Sequence, residues 1–180
     1  WYIFSRIWKN FTATMEIDFT PQVKMVNPIN EKNQSEFKKI LGIVFRAQNF
    51  DDYFLLEVCY VNRHIVFRPH VRLGGNWDAP ELNPDFDSYP LNLEQINEFK
   101  LEIVVKNDKV RAYVNGDMRN PIIWLLPNVA EPRLKQHESE VKKIASKTIT
   151  SEVYFKNRAG MFGFRNYPNE LAVIKSLDIR

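Results

Sequence analysis

Three stretches, Leu41–Val71, Phe99–Gly116 and Ala159–Arg180, alternate apolar and polar residues with period two, and Asn, Asp or Gly punctuates each. Successive side chains of an extended strand point to opposite faces, so this period builds half-buried antiparallel strands. A helix would need its apolar residues three or four apart. Leu41-Gly-Ile-Val-Phe-Arg-Ala-Gln, Asp52-Tyr-Phe-Leu-Leu-Glu-Val-Cys-Tyr and Arg63-His-Ile-Val-Phe-Arg-Pro-His are predicted as three consecutive strands of a meander. Phe99–Lys106 and Lys109–Gly116 make a hairpin through Asn107-Asp108. Phe11–Phe19 sets Thr12, Thr14, Glu16 and Asp18 on a wet face, with Ala13, Met15 and Ile17 beneath. Trp1–Trp8, Pro121–Leu126, Ala159–Asn166 and Glu170–Ile179 complete the expected strands. The pattern predicts an all-β, two-sheet antiparallel sandwich.

Three segments break the alternation. Pro21–Ser35 reads as a connecting loop. Gly74 to Pro90 is a long excursion rich in Pro, Asp and Asn, and loops of that length in a compact domain are usually functional or mobile. Within Glu131–Lys147, Leu134, Val141 and Ile144 recur at helical spacing. Pro132 fits a first turn, and Lys142, Lys143 and Lys147 complement the dipole at the C-terminal end, so one short inserted helix is expected at 131–147.

The 180 residues suit a single domain, and 44% hydrophobic with 13% aromatic content suffices for a real core, which excludes intrinsic disorder. The net charge of +3 is spread along the chain. The densest basic pairs, Lys38-Lys39 and Lys142-Lys143, have Glu within a few residues, so no nucleic-acid partner is expected. No apolar run approaches the ~20 residues of a membrane span, and no membrane insertion is expected. Cys59 is the only cysteine, so there is no intrachain disulfide, and its strand position suggests packing. The chain begins at Trp1 and ends on a strand-like run, which suggests a domain excised from a longer protein, with any signal peptide or anchor outside it.

Leu41-Gly-Ile-Val-Phe-Arg with Asp52-Tyr-Phe-Leu-Leu-Glu, the hairpin Phe99–Val114 ending in Asn115-Gly116, Gly160-Met-Phe-Gly-Phe-Arg-Asn, and Ala172-Val-Ile-Lys-Ser-Leu-Asp-Ile together carry a resemblance. With the Trp8–Phe19 strand they cover most of the chain. It resembles the concanavalin A-like lectin/glucanase superfamily, the jelly roll shared by laminin-G-like domains and several glycosidases. The resemblance implies a jelly-roll sandwich, and it leaves adhesion module, lectin and hydrolase open.

Glu16-Ile-Asp-Phe resembles the start of the paired-carboxylate motif of jelly-roll glucanases. The second Glu is missing, since Thr20, Pro21 and Gln22 stand in its place, and two solvated strand residues are expected instead. Strand parity points Phe54, Leu56, Val58 and Tyr60 to the core, and Tyr53, Leu55, Glu57 and Cys59 outward. In the hairpin, Phe99, Leu101, Ile103, Val105, Val110, Ala112 and Val114 face inward and Arg111, Tyr113 and Asn115 outward. Arg46, Arg68 and Arg165 also lie on alternating strands. A sugar site wants this mixture of aromatic faces with Arg and carboxylate groups. The expected ligand face is therefore Arg46, Tyr53, Glu57, Arg68, Tyr113 and Arg165, edged by Trp77, with Tyr89 able to complete an aromatic wall.

No cofactor and no resident metal are expected. Asp51 and Asp52 with Asn49, or Asp85 and Asp87, offer hard oxygen ligands that could suit calcium, although such residues usually make turns. His64 and His70 share a parity but lie about 20 Å apart along a strand, and His137 falls on the expected helix. The resemblance and the incomplete acid–base constellation suggest a non-catalytic binding module. Its expected ligand is a carbohydrate, with a protein surface second, and its setting an extracellular or cell-envelope protein with further domains. The alternative is a glycoside hydrolase or related sugar-processing enzyme of the same fold, with Glu57 as leading carboxylate.

Overall fold

A computed structural model describes residues 2–19, 39–77, 87–93, 98–126, 159–166, 170 and 172–180. Among these, twelve strands follow in chain order: β1 (Tyr2–Trp8), β2 (Phe11–Asp18), β3 (Ile40–Ala47), β4 (Tyr53–Val61), β5 (His64–Leu73), β6 (Asn76–Trp77), β7 (Ser88–Pro90), β8 (Glu98–Lys106), β9 (Lys109–Val114), β10 (Ile122–Leu125), β11 (Gly160–Arg165) and β12 (Val173–Ile179). The larger sheet runs β1-β11-β3-β4-β5-β6, with β7 also paired to β5, and the smaller runs β10-β9-β8-β2-β12. All pairings are antiparallel. The chain is thus an all-β two-sheet sandwich. The helix expected at 131–147 lies outside the described residues.

The period-two pattern fixes the core. Phe54, Leu56 and Val58 of β4 and Ile65, Phe67 and Val71 of β5 face Met15 and Ile17 of β2 and Leu101 and Ile103 of β8. All are fully or nearly fully buried, each contributing roughly 1.5–3 kcal/mol by leaving water. Phe162 of β11 sits edge-on to Phe11 at 5.3 Å and joins the two layers.

Local chemistry sets the connections. β4 turns into β5 through Asn62-Arg63, both in the left-handed region (φ 50° and 64°), as a two-residue hairpin turn of primed type requires. The excursion expected from Gly74 to Pro90 is shorter than the sequence suggests. Its start folds back as β6 and its end returns as β7, both on β5.

Candidate functional site

The register across four strands of the larger sheet builds one row. Arg165 of β11 pairs with Gly42 of β3, Gly42 with Glu57 of β4, and Glu57 with Arg68 of β5. Gly42 matters because it carries no side chain between the two charged neighbours. A Cβ there would stand 2.4 Å from the Arg165 carbonyl oxygen, so only glycine permits this strand spacing. Glu57 Oε2 lies 3.5 Å from Arg68 Nη1 and 3.4 Å from His70 Nε2. Burial opposes ionisation of Glu57, but His70 first, then Arg68 and Arg165, outweigh it and hold the carboxyl below its ordinary value. It is an ionised acceptor at neutral pH.

Four residues along from the Glu57–Arg68 pair, Tyr53 pairs with Arg72, which in turn meets Asp51 Oδ1 at 3.2 Å. Burial raises the Tyr53 phenol above its usual value although Arg165 and Arg72 pull the other way, so it stays protonated. On the same face Val44, Ala47, Tyr53 and Leu55 form a second buried cluster, with Met161 against it. This outward face is therefore closed at Tyr53, 1% exposed, and at Arg165, 7% exposed, and opens to solvent only around Glu57, Arg68, His70 and Arg72. Glu57, Arg68 and Arg72 keep 17%, 27% and 27% of their side-chain surface open, so solvent reaches the charged centre. Arg72 escaped the sequence reading, and His70 was weighed there only with His64 as a metal ligand and not as part of this face. Their signal was the two-residue step along β5 from Arg68.

Tyr53, Glu57, Arg68 and Arg165 come together on this face; the other predicted residues do not all join them. Arg46 is a correction. Between the pairs Gly163–Val44 and Met161–Ala47, β3 spends three residues where β11 spends two, a β-bulge that lets Ala47 rather than Arg46 continue the outward series. Arg46 takes φ 52° and is 2% exposed. Its guanidinium donates to the carbonyls of Asn107 and Lys9 and meets Asp108 Oδ1 at 3.5 Å. It ties two turns at the end of the sandwich.

Tyr113 is a second correction, because β9 belongs to the smaller sheet and Tyr113 stands opposite Glu102 on that sheet's outward side. The backbone of Trp77 closes the larger sheet across from Arg72. Tyr89 bridges the layers, its hydroxyl donating to Asp117 Oδ2 at 3.0 Å.

The acidic turns are occupied by turn-making bonds. Asp52 Oδ1 accepts from the Gly74 amide, and Asn49 Oδ1 accepts from the Asp51 amide. Asp87 precedes β7 and its carbonyl accepts from the Phe67 amide; Asp85 lies outside the described residues. Among the described residues no three His, Cys, Asp or Glu gather as metal ligands. Glu16 is exposed, and Asp18 meets Lys175 Nζ at 3.7 Å on the smaller sheet. His64 Nδ1 lies 2.9 Å from the Asn62 carbonyl at the hairpin turn, and His137 is outside the described residues.

No protein-family model matches the sequence, and no curated protein matches it. Solved structures do match the fold. A carbohydrate-binding module, CBM66 from Bacillus subtilis, is similar over 97% of this chain and 77% of its own, at 12% identity and TM-score 0.55. Chicken galectin 2 is similar over 99% and 97%, at 10% identity and TM-score 0.52. A double mutant of congerin II is similar over 100% and 98%, at 6% identity and TM-score 0.54. The shared fold is a jelly-roll sandwich. Among the described residues no helix is long and apolar enough to cross a membrane.

Proposed function

We propose that this chain is a non-catalytic carbohydrate-binding module that takes its ligand on the outward face of the larger sheet. The observation that carries the reading is the solvent-reached cluster of Glu57, Arg68, His70 and Arg72 on β4 and β5, beside a buried apolar cluster on the same face. Sugar recognition draws on such a surface: apolar patches meet C–H groups, while fixed charged groups hydrogen-bond to hydroxyls. The names of the similar structures, a carbohydrate-binding module and a galectin, point the same way. Assignment to the concanavalin A-like group and an extracellular setting belong to this same proposal.

Glu57 does not fit the general-acid role of the hydrolase alternative, although an ionised carboxylate would suit its nucleophile. A general acid needs a raised pKa, and this carboxyl is pulled down by its cations. The test combines a glycan array with a hydrolysis panel. Saturable binding without turnover supports the module. Turnover abolished by Glu57→Gln would replace it with the enzyme, and neither binding nor turnover would reject both.

A further inference from the structure

We propose that Asn10 carries an N-linked saccharide, a modification that rests on the extracellular setting proposed above and goes beyond it. Asn10-Phe11-Thr12 is an Asn-x-Ser/Thr sequence with no proline in the middle, the pattern whose asparagine accepts a glycan in secreted proteins. It begins on the turn between Trp8, the end of β1, and Phe11, the start of β2, where the chain crosses from the larger sheet to the smaller. Arg46 holds this turn from within, its guanidinium donating to the Lys9 and Asn107 carbonyls. Asn10 itself is exposed. Its Oδ1 accepts from the Asn107 amide at 2.7 Å, and an amide donor there requires the oxygen rather than the nitrogen of the side chain. That leaves Nδ2, from which nothing among the described residues accepts.

Transfer joins Nδ2 to the anomeric carbon of a saccharide carried on a polyprenyl pyrophosphate. The new C–N bond replaces the C–O bond to the pyrophosphate, which leaves with the electron pair. Nδ2 gives one of its two protons to a base of the transferase, and nothing is oxidised or reduced. The fold sets the order of events. Phe11 is 5% exposed and packs on Phe162 at 5.3 Å and Phe45 at 6.3 Å. The Thr12 backbone exchanges hydrogen bonds of 2.8 and 3.0 Å with Arg180. A transferase must take Asn10 and the Thr12 hydroxyl into one site, and the docked strand denies it that. The saccharide is therefore added before β2 pairs. The folded turn then accommodates it, because the modified side chain keeps the carbonyl oxygen that the Asn107 amide needs.

The test places the full chain behind a cleavable secretion signal in a eukaryotic host and maps its peptides by mass spectrometry before and after peptide-N-glycosidase. The expected result is a saccharide on the peptide that holds Asn10, with enzymatic release converting that residue to aspartate. Thr12→Ala should abolish the saccharide while leaving Asn10 and its bond to Asn107 in place, and Thr12→Ser should keep it. Folded chain made in bacteria should take up none from the purified transferase and its lipid-linked donor; uptake there would overturn the order of addition. A second sequence of the same pattern, Asn33-Gln34-Ser35, lies outside the described residues, and its peptide is read separately. A bare Asn10 in a chain with Thr12 intact overturns the proposal, whether or not Asn33 is occupied. A saccharide on Asn10 that survives Thr12→Ala would overturn it too. The same map is made of chain retained in the cell, so poor secretion does not hide occupancy. Glycan binding is measured on the same preparation. A bare Asn10 with binding intact rejects the modification alone, and an occupied Asn10 without binding rejects the binding module instead.

Discussion

Arg46→Met separates two roles that strand parity confuses, ligand contact and fold maintenance. Methionine keeps the apolar stem and removes the guanidinium. Lost with it are the bond to the Asn107 carbonyl, a longer bond of 3.3 Å to the Lys9 carbonyl, and the pairing with Asp108. A hydrogen bond from a charged group contributes about 1.5–3 kcal/mol, and the longer bond less. The Asp108 side chain is 44% exposed and stays hydrated without its partner, so that pairing adds at most about 1 kcal/mol. The expected loss is about 3 kcal/mol, which for a domain of this size lowers Tm by about 6–12 °C. Scanning calorimetry measures the shift, and glycan affinity below the transition should stay unchanged. A Tm within about 2 °C of the parent, together with lost affinity, would refute the assignment and return Arg46 to the ligand.

Gly42→Ala should destabilise the fold by about 1–3 kcal/mol in urea denaturation, because the new methyl meets the Arg165 carbonyl and β11 must move from β3. Unchanged stability would show that the strands separate freely there. Glu57 has a folded pKa below its ordinary value of 4.5, so its contribution is full above that value and lost as pH falls through the depressed one. Stability should therefore hold from pH 7 to about 5 and decline below, with a shallower acid limb in Glu57→Gln; identical limbs would contradict the pairing. Burial, with Glu57 and Glu170 adding to it against Arg68, pushes the Cys59 thiol up to about 12. Iodoacetamide at pH 8 should leave the native protein unmodified by mass spectrometry and label it fully in urea. Rapid native labelling would show an accessible thiol.

The sandwich was legible because its signal is local. Phe99, Leu101 and Ile103 alternate with less buried neighbours, so burial of one face sets the register of β8, and Phe54, Leu56 and Val58 keep the same inward period although Tyr53, Leu55 and Cys59 of β4 are buried too. The site was legible only in part, since parity states which way a side chain points but not in which sheet. Tyr113 shares the outward parity of Tyr53 yet lies on the opposite layer. Arg46 was misread because its bulge falls in Phe45-Arg46-Ala47, which holds no glycine or asparagine to announce it. The role of Gly42 is the close approach of β11, a constraint that only the paired strand reveals. His70 becomes a partner of Glu57 through pairing between strands, which no motif in a single strand encodes.

The most direct measurement is a backbone amide NMR titration with a saccharide selected from the array. The account predicts that shift changes concentrate at Tyr53–Cys59 of β4, Val66–Arg72 of β5 and Gly163–Arg165 of β11, while Lys100, Arg111 and Tyr113 of the smaller sheet stay still. Changes centred instead on β8 and β9, with the β4–β5 face silent, would contradict it.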